Sequence, residues 1–258
     1  MHTEDTTWET SSSWYDKVVG AKGHYYHQQV IIPRVLNILE REKRPQPHLL
    51  DLACGQGILA RHLPKGMKYL GIDGSASLIN AAKKYDPKSP HSFFVHDLCH
   101  PLELPFKEFS HAACILAVQN MPNLAPLFRT AFAHLRVGAP FIIVLNHPAF
   151  RIPRQSGWGV DEQKKLQYRR VDRYMTELKI PIQTQPSKQE ASEQTWSFHH
   201  PISYYSEQLK QAGFIIDQIE EWCSDRKSIG KTATMENRSR QEFPLFLTLI
   251  AKKRELER

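Results

Sequence analysis

One stretch constrains the fold more than any other: Leu49-Leu50-Asp51-Leu52-Ala53-Cys54-Gly55-Gln56-Gly57, where an apolar run passes into small residues and then a short helical pattern. Glycines let the backbone approach a ligand and take dihedrals closed to other residues. A helix that follows such a turn presents free N–H groups to a polar ligand. Asp73, twenty-two residues after Asp51, closes a second apolar run. An acid at the end of the second strand accepts both ribose hydroxyls of a nucleoside. A third acid, Asp97, closes a third run, where an adenine edge would sit.

The surrounding pattern is that of an α/β chain. Strands are predicted over residues 48–53, 69–73, 92–97, 112–118 and 141–145, with helices over 28–42, 58–63, 75–84 and 124–135. Pro33 suits the first turn of the 28–42 helix. Ala112–Val118 is nearly all apolar, as a strand buried on both faces requires. Leu124, Leu127, Phe128, Ala131, Phe132 and Leu135 share one helical face, and Gly138 follows as a stop. Strands alternating with short helices give a mostly parallel sheet. The pattern breaks over 147–198, a segment rich in Arg, Gln and aromatics, and resumes with a helix near 204–212 and strands at 215–222 and 243–251. The intervening 223–242 is polar and too long for a tight hairpin.

With 41% hydrophobic and 24% charged residues, the composition excludes disorder, collagen and coiled coil. The net charge of +7 permits an anionic partner without identifying one. Four irregularly spaced cysteines make no disulfide framework. The first residues lack the apolar core of a secretory signal, and no apolar run approaches the roughly 20 residues of a membrane span. A cytoplasmic protein of one domain over 1–258 is the expectation.

Two ligands compete for the glycine turn. Gly55-x-Gly57-x-x-Ala60 satisfies the dinucleotide fingerprint, which admits a nicotinamide-dependent oxidoreductase. A nicotinamide fingerprint, however, does not require Asp51 or Asp97. Together with Asp73 and the late strand pair, these acids fit another family. Asp51-Leu-Ala-Cys-Gly-Gln-Gly57, Gly71-Ile-Asp73-Gly-Ser75, His96-Asp97-Leu98 and Val118-Gln119-Asn120-Met121 resemble the first four motifs of class I S-adenosylmethionine-dependent methyltransferases. The resemblance covers about residues 28–147 and the C-terminal strand pair. It implies a Rossmann-like seven-stranded, mostly parallel sheet with helices on both faces, the last strand antiparallel, and an inserted lid after strand five. In that arrangement 1–27 is an N-terminal cap, 28–147 the cofactor core, 148–198 the lid, and 199–258 the C-terminal helix and strand pair.

By the same resemblance S-adenosylmethionine is the cofactor and S-adenosylhomocysteine the product. Asp51 is implied as a cofactor-binding residue, Ala53, Cys54, Gly55 and Gly57 at the methionine end, Asp73, Gly74 and Ser75 at the ribose, Asp97 and Leu98 at the adenine, and Val118 and Gln119 near the sulfonium. Trp14, Tyr15, His24 and Tyr25 fall where relatives place a covering helix, and aromatics there favour a cation.

His147, immediately after the fifth strand and beside Asn146, is the candidate base, because carboxyl ends of parallel strands face the ligand crevice. The cluster His96, Asp97, Cys99 and His100 matches no common zinc spacing, and no metal is expected. The acceptor side falls to the lid, where Arg151, Trp158 and Tyr168 stand with Asn146 and His200 as candidate contacts. Arg238 and Arg240 join them if 223–242 folds over the lid. A small-molecule acceptor is expected, since a large insertion accompanies one catalytic domain and no RNA-binding signature is present. The alternatives are RNA or protein as acceptor, prompted by the basic lid, and a binder of the cofactor without catalysis.

Overall fold

The computed structural model describes residues 8–87, 89–183 and 194–254. Helix α1 (Ser12–Val19) leads through a π turn at His27–Ile31 into α2 (Ile32–Arg41). Then come β1 (His48–Leu52), β2 (Lys68–Asp73), α3 (Ala76–Tyr85), β3 (Ser92–Val95), β4 (His111–Ile115), α4 (Ala125–His134) and β5 (Pro140–Asn146). Two antiparallel hairpins follow, β6 (Ser156–Asp161) with β7 (Leu166–Val171), and β8 (Leu178–Gln183) with β9 (Gln194–His199). The chain ends with α5 (Ile202–Gln211), β10 (Phe214–Trp222), α6 (Ala233–Glu242) and β11 (Phe246–Lys253).

The sheet order is β10-β11-β5-β4-β1-β2-β3. β1 to β5 are mutually parallel, whereas β11 runs antiparallel to both β5 and β10. Successive strand residues face opposite sides, and the apolar pattern uses both. Leu50, Leu52, Cys114, Phe141 and Ile143 pack beneath Leu127 and Phe128 of α4 and Leu209 of α5. Leu49, Ala113, Ile142, Val144 and Trp222 pack against Val35, Ile38 and Leu39 of α2. Each fully buried large aliphatic side chain contributes about 1.5–3 kcal/mol, and these two layers hold the strand ends in place.

The structure departs from the sequence expectations where local geometry, rather than hydropathy, decides. β3 stops at Val95, which leaves Asp97 in the following loop. β4 stops at Ile115 because Leu116 turns left-handed (φ 55°), and Val118–Asn120 forms a 3-10 turn. Only Ala60–His62 of the expected 58–63 helix is helical, as one 3-10 turn. The 28–42 helix begins as the π turn, with Pro33 in the first turn of α2. In the 148–198 segment the hairpins replace a patternless lid. Gly159 faces Tyr168 across the first of them, and a Cβ at Gly159 would lie 2.4 Å from that ring.

Helix α6 was not read from the sequence, because it buries only Ser239. Local bonds form it instead. Glu236 accepts from the Thr232 hydroxyl (2.7 Å) and from the Ser228 hydroxyl, and Ser239 donates to the carbonyl of Gln167 on β7 (3.1 Å).

Candidate functional site

A cavity of about 340 Å³ opens at the carboxyl ends of the parallel strands, where ligands bind in open α/β sheets. Its floor comes from the residues that follow each strand: Ala53 and Gly55 after β1, Asp73 and Gly74 at β2, Asp97 and Leu98 after β3, Leu116 and Ala117 after β4, and Asn146 at the end of β5. Trp8, Tyr15 and His27 cover it from the N-terminal side, and Pro153, just before the first hairpin, with Ile182 and Ser197 of the second hairpin from the other. Gln119, Asn120 and Met121 complete the wall between the two covers.

The turn after β1 is held by its unusual backbone. Ala53 (φ 61°) and Gly55 (φ 55°) are both left-handed, a conformation glycine takes without strain and alanine does not. The Cys54 N–H donates to Ile72 O (3.0 Å) and the Gly57 N–H to Cys54 O (3.0 Å). Asp73 completes the frame, with one carboxylate oxygen accepting from Gly55 N–H (2.8 Å) and the other from Ser75 N–H (2.9 Å). Burial raises its pKa to about 6 despite these two bonds. Asp51, 2% exposed, accepts from the Tyr69 hydroxyl (2.8 Å), and burial raises its pKa to about 7. Asp51 lies behind the turn, on a second small cavity shared with Tyr15, His27, Ala53, Cys54 and Gly55.

Several sequence candidates therefore meet at one place: Ala53, Gly55, Asp73, Gly74, Asp97, Leu98, Gln119, Asn146 and Tyr15 share the main cavity, with Asp51 and Cys54 on the adjoining one. Others lie off the wall. A side chain at Gly57 (φ 71°) would meet the Phe93 ring at 2.9 Å, so this glycine permits packing rather than ligand approach. Ser75 caps α3, its hydroxyl accepting from Leu78 N–H (3.1 Å) and donating to Glu9. Val118 is fully buried in the α4 layer. Tyr25 turns outward, donating to Asp225 (3.0 Å) beneath Arg226.

His147 is corrected as well. It is 2% exposed, its Nε2 lies 2.7 Å from Glu221 Oε1 on β10, and its Nδ1 accepts from Ala149 N–H (3.2 Å). It does not border the cavity. Trp158 and Tyr168 are exposed on the first hairpin, with Arg169 over the Trp158 ring. His200 stacks on Tyr204 (3.8 Å). Arg240 is spent on Ser228 and Glu236, and Arg238 is exposed, so α6 brings neither to the cavity. Arg151 reaches only a recess beside it.

The sequence reading missed Trp8, His27, Leu116, Pro153, Ile182 and Ser197 on the wall. For Leu116 no signal existed, since a left-handed leucine is not written in hydropathy. His27 carried one: a polar residue at the start of an apolar helical face. It is 9% exposed, its Nδ1 has no hydrogen-bond partner, and burial lowers its pKa to about 4.

The wall is electrostatically one-sided. Among the described residues it carries Asp73 and Asp97 and no Lys or Arg. A group whose folded pKa is raised favours folding below its unfolded value, and that contribution is lost as pH rises through the folded pKa. For Asp51 the window runs from about 4 to about 7. Asp51→Asn keeps an oxygen for Tyr69 and removes the charge. Its unfolding free energy relative to the unsubstituted chain should therefore rise by on the order of 3 kcal/mol between pH 4 and pH 8, read by urea unfolding at both. A flat difference would show that Asp51 ionises without cost.

Comparison with known proteins points the same way. The family model described as "Methyltransferase domain" matches residues 50–143. The chain is similar to an S-adenosylmethionine-dependent methyltransferase from Mesorhizobium loti, with 25% identity over 84% of this chain and 96% of that one and a TM-score of 0.65. A second, from Clostridium acetobutylicum, shares 18% identity over 96% and 99% of the two chains, with a TM-score of 0.61. The glycopeptide N-methyltransferase MtfA, solved with S-adenosyl-L-methionine, shares 15% identity over 86% and 93%, with a TM-score of 0.58. No curated protein sequence matches the chain.

Proposed function

We propose that this chain, which belongs to the class I S-adenosylmethionine-dependent methyltransferases and takes S-adenosylmethionine as its donor, methylates a small molecule held between the strand ends and the inserted hairpins. The observation that carries the small-molecule reading is the cavity, covered on two sides and bare of cations among the described residues. Its volume lies within the range of small-ligand sites. Three of the four basic residues of the first hairpin, Lys164, Arg169 and Arg170, are engaged locally. Arg169 donates to Phe150 O and the Ser156 hydroxyl, Arg170 pairs with Asp172 (3.3 Å), and Lys164 lies 3.8 Å from Asp161.

The residues present suit the donor. Each Asp73 oxygen accepts one backbone N–H and keeps acceptor capacity for a ribose hydroxyl. Leu78 and Leu98 give apolar walls for a base, beside Asp97. Asp51 is a buried carboxyl without a cationic partner, and an ammonium offsets the cost of ionising it. Ala53 and Gly55 line both the main cavity and the smaller one that Asp51 and Cys54 border.

The bound donor supplies an electrophilic methyl on a sulfonium, so the chain's task is to align the acceptor and exclude water. Trp8 and Tyr15 cover the site from one side, and Pro153, Ile182 and Ser197 from the other. Where the acceptor must lose a proton, His27 replaces His147 as the candidate base because it lies on the wall; burial lowers its pKa to about 4, which leaves the ring neutral at pH 7 but a weaker base than an ordinary imidazole. A cytoplasmic site of action belongs to the same proposal. No helix among the described residues is long and apolar enough to cross a membrane.

In calorimetry, S-adenosylmethionine and S-adenosylhomocysteine should bind at micromolar concentration and NAD should give no heat. With methyl-labelled donor and fractionated cell extract, label should enter the small-molecule fraction. Label confined to RNA or protein would overturn the acceptor assignment, and tight NAD binding would overturn the donor assignment.

A further inference from the structure

Beside the cavity lies a recess of about 30 Å³ that shares Gln119, Asn146, Pro153 and Ser197 with it. Arg151 borders this recess. Its backbone N–H is tied to His147 O (2.8 Å), which fixes where the chain enters the hairpins. The side chain is half-buried and, among the described residues, has neither a hydrogen bond nor an ion pair. That sets it apart from Arg41, Arg44, Arg136, Arg170 and Arg240, each of which meets a carboxylate. Burial pushes its guanidinium below the ordinary range, and Tyr26 is the one group that opposes the shift. A half-buried cation without a counter-charge is costly, and an anion that arrives with a ligand removes that cost.

Three further groups define the ligand. Asn146 and Ser197 have no side-chain hydrogen bonds among the described residues, so both are open to a recess ligand. Gln119 is fixed in orientation because its Nε2 donates to Leu116 O (2.7 Å), and this leaves Oε1 buried with no donor. An orphaned amide oxygen calls for an O–H or N–H. One water requires roughly 10–15 Å³ of such volume, so the recess of about 30 Å³ takes the two oxygens of a carboxylate while the rest of the ligand reaches into the adjoining cavity.

We infer that the methyl acceptor is a small carboxylic acid bearing a hydroxyl or amino group, its carboxylate seated on Arg151 with Asn146 and Ser197, and its O–H or N–H facing Gln119. Bidentate pairing of guanidinium with carboxylate gives both affinity and orientation. The inference rests on the small-molecule reading above, and it explains why the cavity wall itself needs no cation.

The test uses matched probes, 4-hydroxybenzoate with 4-hydroxybenzamide and lactate with lactamide, titrated into the full chain with and without S-adenosylhomocysteine. At least one carboxylate should bind about tenfold or more tighter than its amide, the scale of one charge-assisted hydrogen bond. Arg151→Gln should erase that preference while S-adenosylhomocysteine binds as before, and Arg151→Lys should retain part of it. No carboxylate preference in either pair, or a preference that survives Arg151→Gln, overturns the proposal. If Arg151→Gln does not fold, loss of the preference in Arg151→Ala together with its retention in Arg151→Lys decides in favour, and equal behaviour of the two decides against. Absence of S-adenosylhomocysteine binding to the unsubstituted chain would instead strike the donor reading. The titrations without it still report on the recess.

Discussion

Replacement of Asp73 by alanine is expected to remove measurable binding of S-adenosylmethionine and S-adenosylhomocysteine, and to destabilise the free chain. Two roles converge on this carboxylate. It ties the glycine turn to the start of α3 by accepting from Gly55 N–H at 2.8 Å and Ser75 N–H at 2.9 Å. In the proposed complex it also accepts the ribose hydroxyls. Losing hydrogen bonds to a charged group costs about 1.5–3 kcal/mol each, so affinity should fall by roughly a hundredfold or more. For the free chain two terms oppose. Leaving two N–H groups unpaired costs about 1–3 kcal/mol each, whereas deleting a carboxyl whose burial raises its pKa to about 6 returns part of that. A net loss of about 1–3 kcal/mol follows, measured by urea unfolding at pH 7.5. Asp73→Asn keeps an acceptor for one of the two amides and should lose less stability than alanine. Affinity within about twofold of the unsubstituted chain in Asp73→Ala would show that this acid is not the ribose ligand.

The sequence made the sheet and the donor side of the cavity legible for one reason: both follow from short-range patterns. Apolar runs mark the strands, and in a parallel sheet the residue that ends each run stands at the carboxyl edge. Ala53, Gly55, Asp73 and Leu98 were placed by that logic, and they share the cavity. What could not be read depends on contacts between distant segments. His147 follows β5 as expected, but its ring is claimed by Glu221 on β10, which β11 brings into reach. Gly57 has the spacing of a ligand-contacting glycine, yet Phe93 of β3 occupies the space above it. The basic lid prompted RNA or protein as an alternative acceptor. The β6–β7 hairpin ties Lys164, Arg169 and Arg170 into local contacts, and of the unpaired basic residues of the 151–173 segment Arg151 is the one that borders the recess beside the cavity. Among the residues lining the cavity and the recess beside it, Arg151 is the one Lys or Arg.

Gly71→Ala tests how tightly the glycine turn and the second strand are interlocked, and a large loss is expected from a single methyl group. Gly71 has an ordinary strand backbone, so the effect is steric. A Cβ there would lie 2.7 Å from the Tyr69 hydroxyl, 2.8 Å from Cys54 Sγ and 2.9 Å from the Tyr69 ring. Neither neighbour yields cheaply. Tyr69 is 2% exposed, lies against His91 and Phe93, and spends its hydroxyl on Asp51. If Tyr69 moves, the buried Asp51 carboxyl loses its donor. If Cys54 moves, it carries with it the strained turn between Ala53 and Gly55. Overpacking costs about 1–3 kcal/mol and an unsatisfied buried polar group a further 1–3, so a total of about 2–6 kcal/mol is expected. For a chain of this size that lowers the melting temperature by roughly 5–12 °C. Affinity for S-adenosylhomocysteine should fall about tenfold as the turn shifts, because the same turn borders both cavities. Tyr69→Phe isolates the hydrogen bond and should cost about 1–2 kcal/mol. In the double variant the two losses should sum to less than the separate values, since both act through Asp51. Strict additivity would show that the methyl group acts through Cys54 alone, and a Gly71→Ala chain that melts like its parent would refute the interlock altogether.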